Sequence, residues 1–378
     1  MNMVEVLTKA VKLGASDIHI VIGKPPMMRL HGEILPVPDF PEISAEDAKN
    51  TIYSVLFENQ RMIFEREWEL DCSFGVAGLS RFRINVFMQT HGVEAVMRVI
   101  PSKIPTPEEI GLSKSIKELA GLDKGLVLVT GPTGSGKSTT LAALLDTINR
   151  TEARNILTVE DPIEFSYTNN KSVFRQREVG QQTKSFAAAL RSALRQDPDV
   201  ILVGEMRDLE TIQLAITAAE TGHLCFGTLH TQDSASTVDR IIDVFPPHQQ
   251  AQIRVQLANS LKAVVSQVLL PKAEGTGRIA ARELMVVTPA ISNLIREGKT
   301  HMIYNAIETG VNYGMVSMDK ALAHMVSEQL VTREEAEPRV HSMESFRQLL
   351  GENPGSGANR PAGKYSGSMA DAGSMLDD

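Results

Sequence analysis

A glycine-rich segment that contains a lysine and a serine offers the clearest chemistry in this 378-residue sequence. Residues 131–138 read GPTGSGKS and match the pattern GxxxxGK[ST]. In such a loop, backbone N–H groups converge on phosphate oxygens, the lysine reaches the β- and γ-phosphates, and the hydroxyl can ligate Mg²⁺. We therefore predict a site for ATP and Mg²⁺ built from Gly131, Pro132, Thr133, Gly134, Ser135, Gly136, Lys137, Ser138 and Thr139.

The residues on either side of this segment support the interpretation. The apolar run 126–129 predicts a strand directly before it. Apolar residues at i, i+3, i+4 and i+7 from Leu141 predict an amphipathic helix directly after it. The alternative is a glycine-rich turn with an incidental lysine, which would not require a strand before it and a helix after it.

Acidic residues follow two other predicted strands. The apolar run 156–159 leads into EDPIE at 160–164, and the run 200–203 leads into Gly204 and Glu205. Carboxylates at strand ends beside a phosphate loop can hold Mg²⁺ and orient a water molecule. A single acid in such a place could equally be the N-cap of the next helix. Two clusters of this kind favour hydrolysis of the nucleotide over binding alone.

Another apolar strand, at 224–229, lies between His223 and His230. His230 follows the strand, where it could sense the γ-phosphate. The alternative for a lone histidine is a structural, hydrogen-bonded role. The residue pattern by itself leaves both roles open.

Two arginines are predicted to face each other in a hairpin. A turn centred between Thr90 and His91 places Arg83 opposite Arg98 on one face of the pair of strands. Like charges in directly opposed positions are destabilising. Either the two side chains splay into solvent or pair with acids such as Glu94, or they form an anion site and act as arginine fingers on phosphate.

Composition and charge exclude several classes of protein. The sequence is 42% hydrophobic and 22% charged, as in ordinary globular proteins, and its net charge of −8 argues against nucleic acid as the partner. Cys72 and Cys225 are the only cysteines, too few for a disulfide framework or a four-cysteine zinc site. There is no signal-peptide pattern and no apolar run of roughly 18 residues. We expect an intracellular protein that meets a membrane only through a partner.

The order of predicted elements indicates an α/β protein with two domains. For residues 1–100 we predict an α+β domain with an opening helix, a small antiparallel sheet, a second helix at 44–66 and the arginine-bearing hairpin. Three prolines mark residues 101–115 as a semi-rigid linker.

Residues 116–350 are predicted to form the second domain. Apolar strands alternate there with amphipathic helices, which is typical of a mostly parallel sheet covered on both faces. From about 250 to 350 the pattern is mostly helical, so helices are predicted to complete this domain. Residues 351–378 are rich in Gly, Ser, Ala, Pro and Asp and are predicted to be disordered.

Taken together, the motifs resemble those of the secretion and pilus ATPases. The Walker A, Asp, Walker B and His boxes of that superfamily are matched by GPTGSGKST at 131–139, VEDPIEF at 159–165, ILVGEMRDLET at 201–211, AAETGHL at 218–224 and FGTLHT at 226–231. GASDIHI at 14–20 and AISNLIREGK at 290–299 narrow the resemblance to the PilT family of type IV pilus retraction, or twitching-motility, ATPases. The resemblance covers about residues 1–350.

The resemblance implies a PAS-like N-terminal domain joined to a RecA-like ATPase domain, assembled as a homohexameric ring with ATP at subunit or domain junctions. It implies a place at the cytoplasmic face of the inner membrane, with an inner-membrane pilus platform protein and an accessory retraction ATPase as partners. The segment 290–299 is implied to couple ATP turnover to retraction. Ser292 stands there in place of the family's arginine, and restoring the arginine is expected to be tolerated.

Site residues also carry over from the resemblance. It assigns catalysis to Glu164, Glu205, Arg83, Arg98 and His230, nucleotide binding to His223 together with the phosphate loop, and Mg²⁺ binding to Ser138 and Glu205, directly or through water. Glu164 matches the Asp-box glutamate and is favoured as the group that orients water. Glu205 matches the Walker B glutamate and would support Mg²⁺.

Other functions remain open from the sequence. An accessory retraction ATPase of the PilU type would share nearly every motif, whereas pilus-assembly and type II secretion ATPases commonly carry a four-cysteine zinc element that this chain cannot supply. A nucleic-acid motor would need a basic groove with stacking aromatics, but the net charge is negative and the only tryptophan, Trp68, lies in the N-terminal part. A non-hydrolysing nucleotide-binding scaffold would not need Lys137, Ser138, Glu164 and Glu205.

Overall fold

Two β-sheets organise the chain in the computed structural model, which describes residues 1–30, 32–100 and 103–352. The strands of the first sheet are β1 Asp17–Ile20, β2 Met27–Leu30, β3 Glu33–Pro36, β4 Glu69–Val76, β5 Ser80–Gln89 and β6 Gly92–Ile100. In space they follow the order β3-β2-β1-β6-β5-β4, and every neighbouring pair is antiparallel. The helices that pack on this sheet are α1 Met3–Lys12, α2 Ala45–Tyr53 and α3 Glu58–Glu67.

Alternation along β5 separates the core of this sheet from its charged face. Phe82, Ile84 and Val86 are fully buried in the core shared with the three helices. Arg81 and Arg83 project from the opposite face, as the two-residue period of a strand requires. The hairpin has the predicted register, with Arg83 opposite Arg98.

The prediction of one helix over 44–66 is wrong, because the structure has two helices with a break between them. Phe57 is extended, and its N–H donates to Oε1 of Gln60 at 2.9 Å, which caps the second helix. The guanidinium of Arg61 donates to the carbonyl of Tyr53, the last residue of the first helix, and to the carbonyl of Leu56 in the break that follows. These local caps outweigh the continuous apolar spacing on which the prediction rested.

The second sheet is mostly parallel, as predicted. Its strands are β7 Gly125–Thr130, β8 Asn155–Glu160, β9 Val173–Glu178, β10 Val200–Val203, β11 Leu224–Leu229, β12 Leu261–Pro271 and β13 Arg278–Val286. They follow the order β13-β12-β7-β11-β10-β8-β9, and only β13 is antiparallel to its neighbour. The helices are α4 Lys114–Glu118, α5 Lys137–Thr151, α6 Phe186–Ala193, α7 Leu209–Glu220, α8 Ser234–Asp243, α9 Pro247–Ser260, α10 Pro289–Glu297, α11 Ile303–Thr309, α12 Met318–Ser327, α13 Arg333–Ala336 and α14 Met343–Leu349.

Both faces of this sheet are covered. Along β7, Leu126 and Leu128 belong to one apolar cluster, and Val127 and Val129 belong to another on the opposite face. Burial on both faces explains why the central strands are continuous apolar runs rather than alternating ones. Because β7, β11, β10 and β8 are parallel neighbours, their carboxyl ends lie side by side along one side of the sheet.

The prediction of a mostly helical pattern from about 250 to 350 is wrong between residues 261 and 286. β12 and β13 are long strands that pair antiparallel, and β12 also pairs parallel with β7. The run 263–270, apolar except for Ser266 and Gln267, fits a buried strand and a buried helix equally well by periodicity. Pairing with β7 decides between them, because the edge of the sheet would otherwise leave backbone groups unsatisfied.

The domain boundaries of the sequence analysis remain predictions. The linker proposed at 101–115 includes residues outside the described ranges, and the disordered tail proposed at 351–378 lies outside them from residue 353 onward. Glu352, within the described part, accepts hydrogen bonds from the guanidinium of Arg333. Among the helices described, none combines the length and the apolar character that crossing a membrane requires.

Candidate active site

One cavity of about 520 Å³ lies at the edge where the central parallel strands end. It is bordered by the phosphate loop after β7, the acidic segments after β8 and β10, and the end of β11. A residue of the first sheet also reaches it. The predicted site residues that line this cavity are Arg83, Thr133, Gly134, Gly136, Lys137, Ser138, Thr139, Glu164, Glu205 and His230.

The phosphate loop has a shape that requires its glycines. Gly131, Gly134 and Gly136 have φ values of 141°, 79° and 87°, a region that favours glycine. A Cβ at Gly131 would lie 2.2 Å from the carbonyl oxygen of Gln267 and 2.6 Å from Oγ of Ser135. α5 begins at the end of the loop, so its first N–H groups point into the cavity as phosphate donors.

Lys137 lies at the centre of the charges in this cavity. Its Nζ donates to the carbonyl oxygens of Gly131 at 2.8 Å and Pro132 at 3.1 Å. Burial lowers the pKa of the ammonium group, and the negative charges of Glu205 and Glu164 act in the opposite direction. The structure thus brings the lysine and both predicted glutamates into one electrostatic site.

Gln267 supports the loop and was not singled out from the sequence. This buried side chain of β12 donates from Nε2 to the carbonyl of Ser135 at 2.7 Å and accepts from the hydroxyl of Thr140 at 2.9 Å. It therefore holds both ends of the turn from loop to helix. A polar Ser266-Gln267 pair inside an apolar run was the available signal, because buried polar groups in such a run need specific partners.

The two glutamates of the segment 160–164, at the end of β8 and just after it, occupy different environments. Glu160 is buried, with 8% of its surface exposed, and accepts from the hydroxyl of Thr158 at 2.6 Å and from Nε2 of Gln176 at 3.2 Å. Burial raises its pKa. Glu164 is exposed to the cavity, and its backbone N–H donates to Glu160 at 3.4 Å. Glu160 therefore shapes the loop that presents Glu164.

Glu205 is bound by two basic side chains. Its Oε1 accepts from Nε2 of His230 at 2.9 Å and from Nε of Arg207. Burial alone would raise its pKa, but the hydrogen bond and charge of Arg207, together with His230, hold the pKa below its usual value. Arg207 is a cavity residue that the sequence analysis did not assign; its position two residues after Glu205 was the available signal.

The structure does not bring His223 to the cavity. His223 precedes β11, whereas the cavity lies beyond its other end, and a six-residue strand spans about 20 Å. The imidazole Nδ1 of His223 instead lies 2.9 Å from the carbonyl oxygen of Ala218, at the end of α7. The expected nucleotide-binding role of His223 has no support from this geometry, because the two histidines of the motif lie at opposite ends of one strand.

The opposed arginines separate by pairing with different acids. Nη2 of Arg83 lies 4.0 Å from Oδ1 of Asp71, and this side chain lines the cavity. Nε of Arg98 donates to Oδ1 of Asp17 at 2.8 Å, and Arg98 does not line the cavity of its own chain. Glu94, the acid suggested from the sequence, instead accepts from the N–H of Ile22. Only one of the two predicted arginine fingers is therefore in place within the chain.

Sequence and structure comparisons relate most of the chain to known proteins. The type IV pilus retraction ATPase PilT of Pseudomonas aeruginosa is 51% identical over 346 residues, which are 92% of this chain and 100% of the relative. A twitching motility protein of Neisseria gonorrhoeae is 50% identical over 321 residues, 85% of this chain and 86% of the relative. A crystal structure of the pilus retraction motor PilT with bound ADP has a TM-score of 0.86 and 46% identity, covering 92% of this chain and 99% of that chain. Residues 2–337 match the family described as type II/IV secretion system protein, and the chain belongs to that family.

Proposed function

We propose that this protein is a motor that hydrolyses ATP to power the retraction of type IV pili and twitching motility. One observation carries the proposal: a phosphate loop, two glutamates and an arginine from the first sheet border a single cavity. The relatives named for pilus retraction and twitching match nearly the whole chain and favour retraction over pilus assembly or secretion.

Binding of the triphosphate falls to the loop and the start of α5. The first N–H groups of this helix have no partner within the helix and can donate to phosphate, and Lys137 is its first residue. Its two hydrogen bonds are to neutral carbonyl oxygens, which are weaker partners for an ammonium group than phosphate oxygens. Phosphate is therefore expected to draw the ammonium away from Gly131 and Pro132.

The two glutamates of the cavity have different proposed roles, one in binding Mg²⁺ and the other in orienting water. Bound with ATP, Mg²⁺ would add positive charge at the β- and γ-phosphate oxygens. The hydroxyl of Ser138 and the carboxylate of Glu205 are the groups that would hold it, and oxygen ligands suit this ion. Glu205 is ionised because Arg207 and His230 outweigh the effect of its burial on the pKa. Glu164 is exposed in the same cavity, where it can orient a water molecule toward the γ-phosphate.

Arg83 extends the site across the two sheets. It comes from β5, and its side chain is 51% exposed and lines the cavity. A cation placed there would stabilise charge that develops on the phosphate oxygens during transfer, the role of an arginine finger. ATP turnover would then depend on where the first sheet stands relative to the phosphate loop.

We place the motor in a homohexameric ring at the cytoplasmic face of the inner membrane, in contact with the pilus platform protein and an accessory retraction ATPase. The likeness to PilT supports this placement. Arg98 supports a shared site, because its side chain is 72% exposed and so is accessible to a neighbouring chain. Sedimentation of the purified protein with ATP measures the number of subunits.

Loss of the gene tests the cellular function. Cells that lack a retraction motor should carry many static pili and should not twitch, whereas cells that lack an assembly motor should carry no pili. A second strain separates the main motor from the accessory one. When this chain is the only retraction ATPase present, pili should still retract; failure to retract there, with normal retraction beside a second ATPase, would assign the accessory role.

A further inference from the structure

A buried carboxylate joins the first sheet to the loop that carries Glu164. Glu178, the last residue of β9, is 2% exposed and lies between the two sheets. Its partners come from both sides. Ser73 of β4 and Arg81 of β5 belong to the first sheet, and Ile163 and Gln181 belong to the second part of the chain.

Each oxygen of Glu178 accepts two hydrogen bonds. Oε1 accepts from Oγ of Ser73 at 2.6 Å and from Nε2 of Gln181 at 2.8 Å. Oε2 accepts from Nη2 of Arg81 at 2.7 Å and from the backbone N–H of Ile163 at 3.0 Å. A buried carboxylate with a paired charge and both oxygens satisfied is held in one position.

The two partners of Oε2 lead directly to the candidate active site. Ile163 immediately precedes Glu164, so the hydrogen bond to its N–H fixes the loop from which Glu164 enters the cavity. Arg81 lies two residues from Arg83 on the same face of β5, so the ion pair fixes the strand that presents Arg83. The carboxylate of Glu178 therefore contacts both the loop that carries Glu164 and the strand that carries Arg83.

We propose that Glu178 is a positioning residue that keeps Glu164 and Arg83 in register with each other for ATP hydrolysis. This inference rests on the proposed function. The pair Arg81–Glu178 makes turnover depend on the contact between the two sheets, because a shift of the first sheet pulls on the loop of Glu164 and on the strand of Arg83 together. The hydrogen-bond partners of Glu178 do not include the phosphate loop, so the affinity for nucleotide should not depend on this carboxylate.

The alternative is that the ion pair only stabilises the packing of the two sheets. Breaking a buried pair is generally destabilising, so loss of stability alone does not distinguish the two roles. The distinction lies in kinetics. A positioning residue affects the chemical step, so its loss lowers kcat and leaves KM for ATP nearly unchanged.

The first measurement compares Glu178→Gln with Arg66→Ala. The glutamine keeps the shape but loses the charge and one acceptor oxygen, whereas Arg66 is an exposed arginine of α3 that pairs with its neighbour Glu67 and makes no ion pair with Glu178. We expect kcat of Glu178→Gln to fall roughly 10- to 100-fold, as misplacement of about an ångström can cause, with KM changed less than about twofold. Arg66→Ala should match the wild type.

Double variants then show whether Glu178 acts through Arg83. Arg83→Ala should lower kcat much less in the Glu178→Gln background than in the wild type, because the arginine is already misplaced there. Should Glu178→Gln not fold, Arg81→Gln carries the same comparison, since its side chain is partly exposed.

The outcomes separate this inference from the proposed function. The positioning role would be overturned if Glu178→Gln or Arg81→Gln, in the otherwise wild-type protein, folded and kept full kcat with only a lower melting temperature. It would also be overturned if Arg83→Ala lowered kcat by the same factor in the Glu178→Gln protein as in the wild type. Absence of ATP turnover in the wild-type protein would instead refute the proposed function.

Discussion

At the scale of single residues, Glu205 shows how the cavity sets the state of its charges. Arg207 and His230 both donate to Oε1 of Glu205, so Mg²⁺ or its waters can reach only the other oxygen unless Arg207 moves. The side chain of Arg207 is 75% exposed and has room to do so. The environment of Glu164 differs: its side chain is exposed to the cavity, and its backbone N–H donates to the carboxylate of Glu160.

Amide variants of the two glutamates should separate binding from hydrolysis. We expect Glu164→Gln and Glu205→Gln each to bind ATP and to lose most turnover, because acids that position water or Mg²⁺ act in the chemical step. Lys137→Ala should lose turnover as well. Measured turnover and nucleotide binding check this, with the exposed Glu210→Gln as a control. Normal turnover in either glutamine variant would remove that residue from the catalytic machinery.

Asp17 and Arg98 predict a pH-dependent contribution to stability. Burial raises the pKa of Asp17, but the hydrogen bonds from Arg98 and Ser16 and the charge of Arg98 outweigh it and hold the pKa below its usual value. A carboxylate with a lowered pKa stabilises the fold above its unfolded pKa, about 3.9, and loses that contribution as the pH falls through the folded pKa. Asp17→Asn should therefore be less stable than the wild type at pH 7 and equal to it in acid.

Denaturant unfolding of the two proteins across this range measures the difference. We expect about 1 kcal/mol or less at pH 7, because the side chain of Arg98 is 72% exposed and solvent screens the pair. A constant difference at all pH values would mean that shape rather than charge is responsible.

At the scale of elements, α10 packs on α9 through both apolar and polar contacts. Ile291 and Ile295 are fully buried, and the nearly buried hydroxyl of Ser292 donates to the carbonyl of Ala258 at 2.8 Å. The expectation that arginine would be tolerated at position 292 does not fit this contact. A longer, charged side chain there must leave the interface or separate the two helices.

Substitutions on α10 should separate stability from coupling. Ile295→Ala should lower the free energy of unfolding by about 2–5 kcal/mol, because its side chain is fully buried. Leu294→Ala should cost less, since that residue is only half-buried. Arg296→Ala should keep much of the ATPase activity and abolish twitching, because this arginine is exposed and its hydrogen bond to Asn259 lies at the surface, away from the cavity residues. Normal twitching of Arg296→Ala cells would leave α10 with a packing role alone.

At the scale of the whole molecule, the two arginines of the hairpin predict different behaviour when variants are mixed in the proposed ring. Arg83 lines the cavity of its own chain, whereas Arg98 is exposed away from it. Co-assembly of Arg98→Ala with Lys137→Ala subunits should restore turnover above the sum of the two if Arg98 serves a neighbour. Co-assembly of Arg83→Ala with Lys137→Ala should not. Rescue in the second mixture would mean that a neighbour's first sheet completes the site.

The sequence by itself determined the parts of this protein that have a local signature. The phosphate loop requires glycines at fixed positions, and the strand before it and the helix after it have their own periodicities. The opposition of Arg83 and Arg98 followed from the position of one turn, because a tight turn sets the register of both strands. The acids that follow β8 and β10 lie close together because the carboxyl ends of parallel strands are on the same side of the sheet.

Tertiary structure alone decided the contacts between residues far apart in the chain. β12 is a strand because it pairs with β7, and this pairing brings Gln267 within hydrogen-bonding distance of the phosphate loop. Arg98 met Asp17 across 81 residues, and Arg81 met Glu178 across 97. No local pattern encodes such pairs, because buried polar and charged groups become favourable only when their partners arrive from other elements.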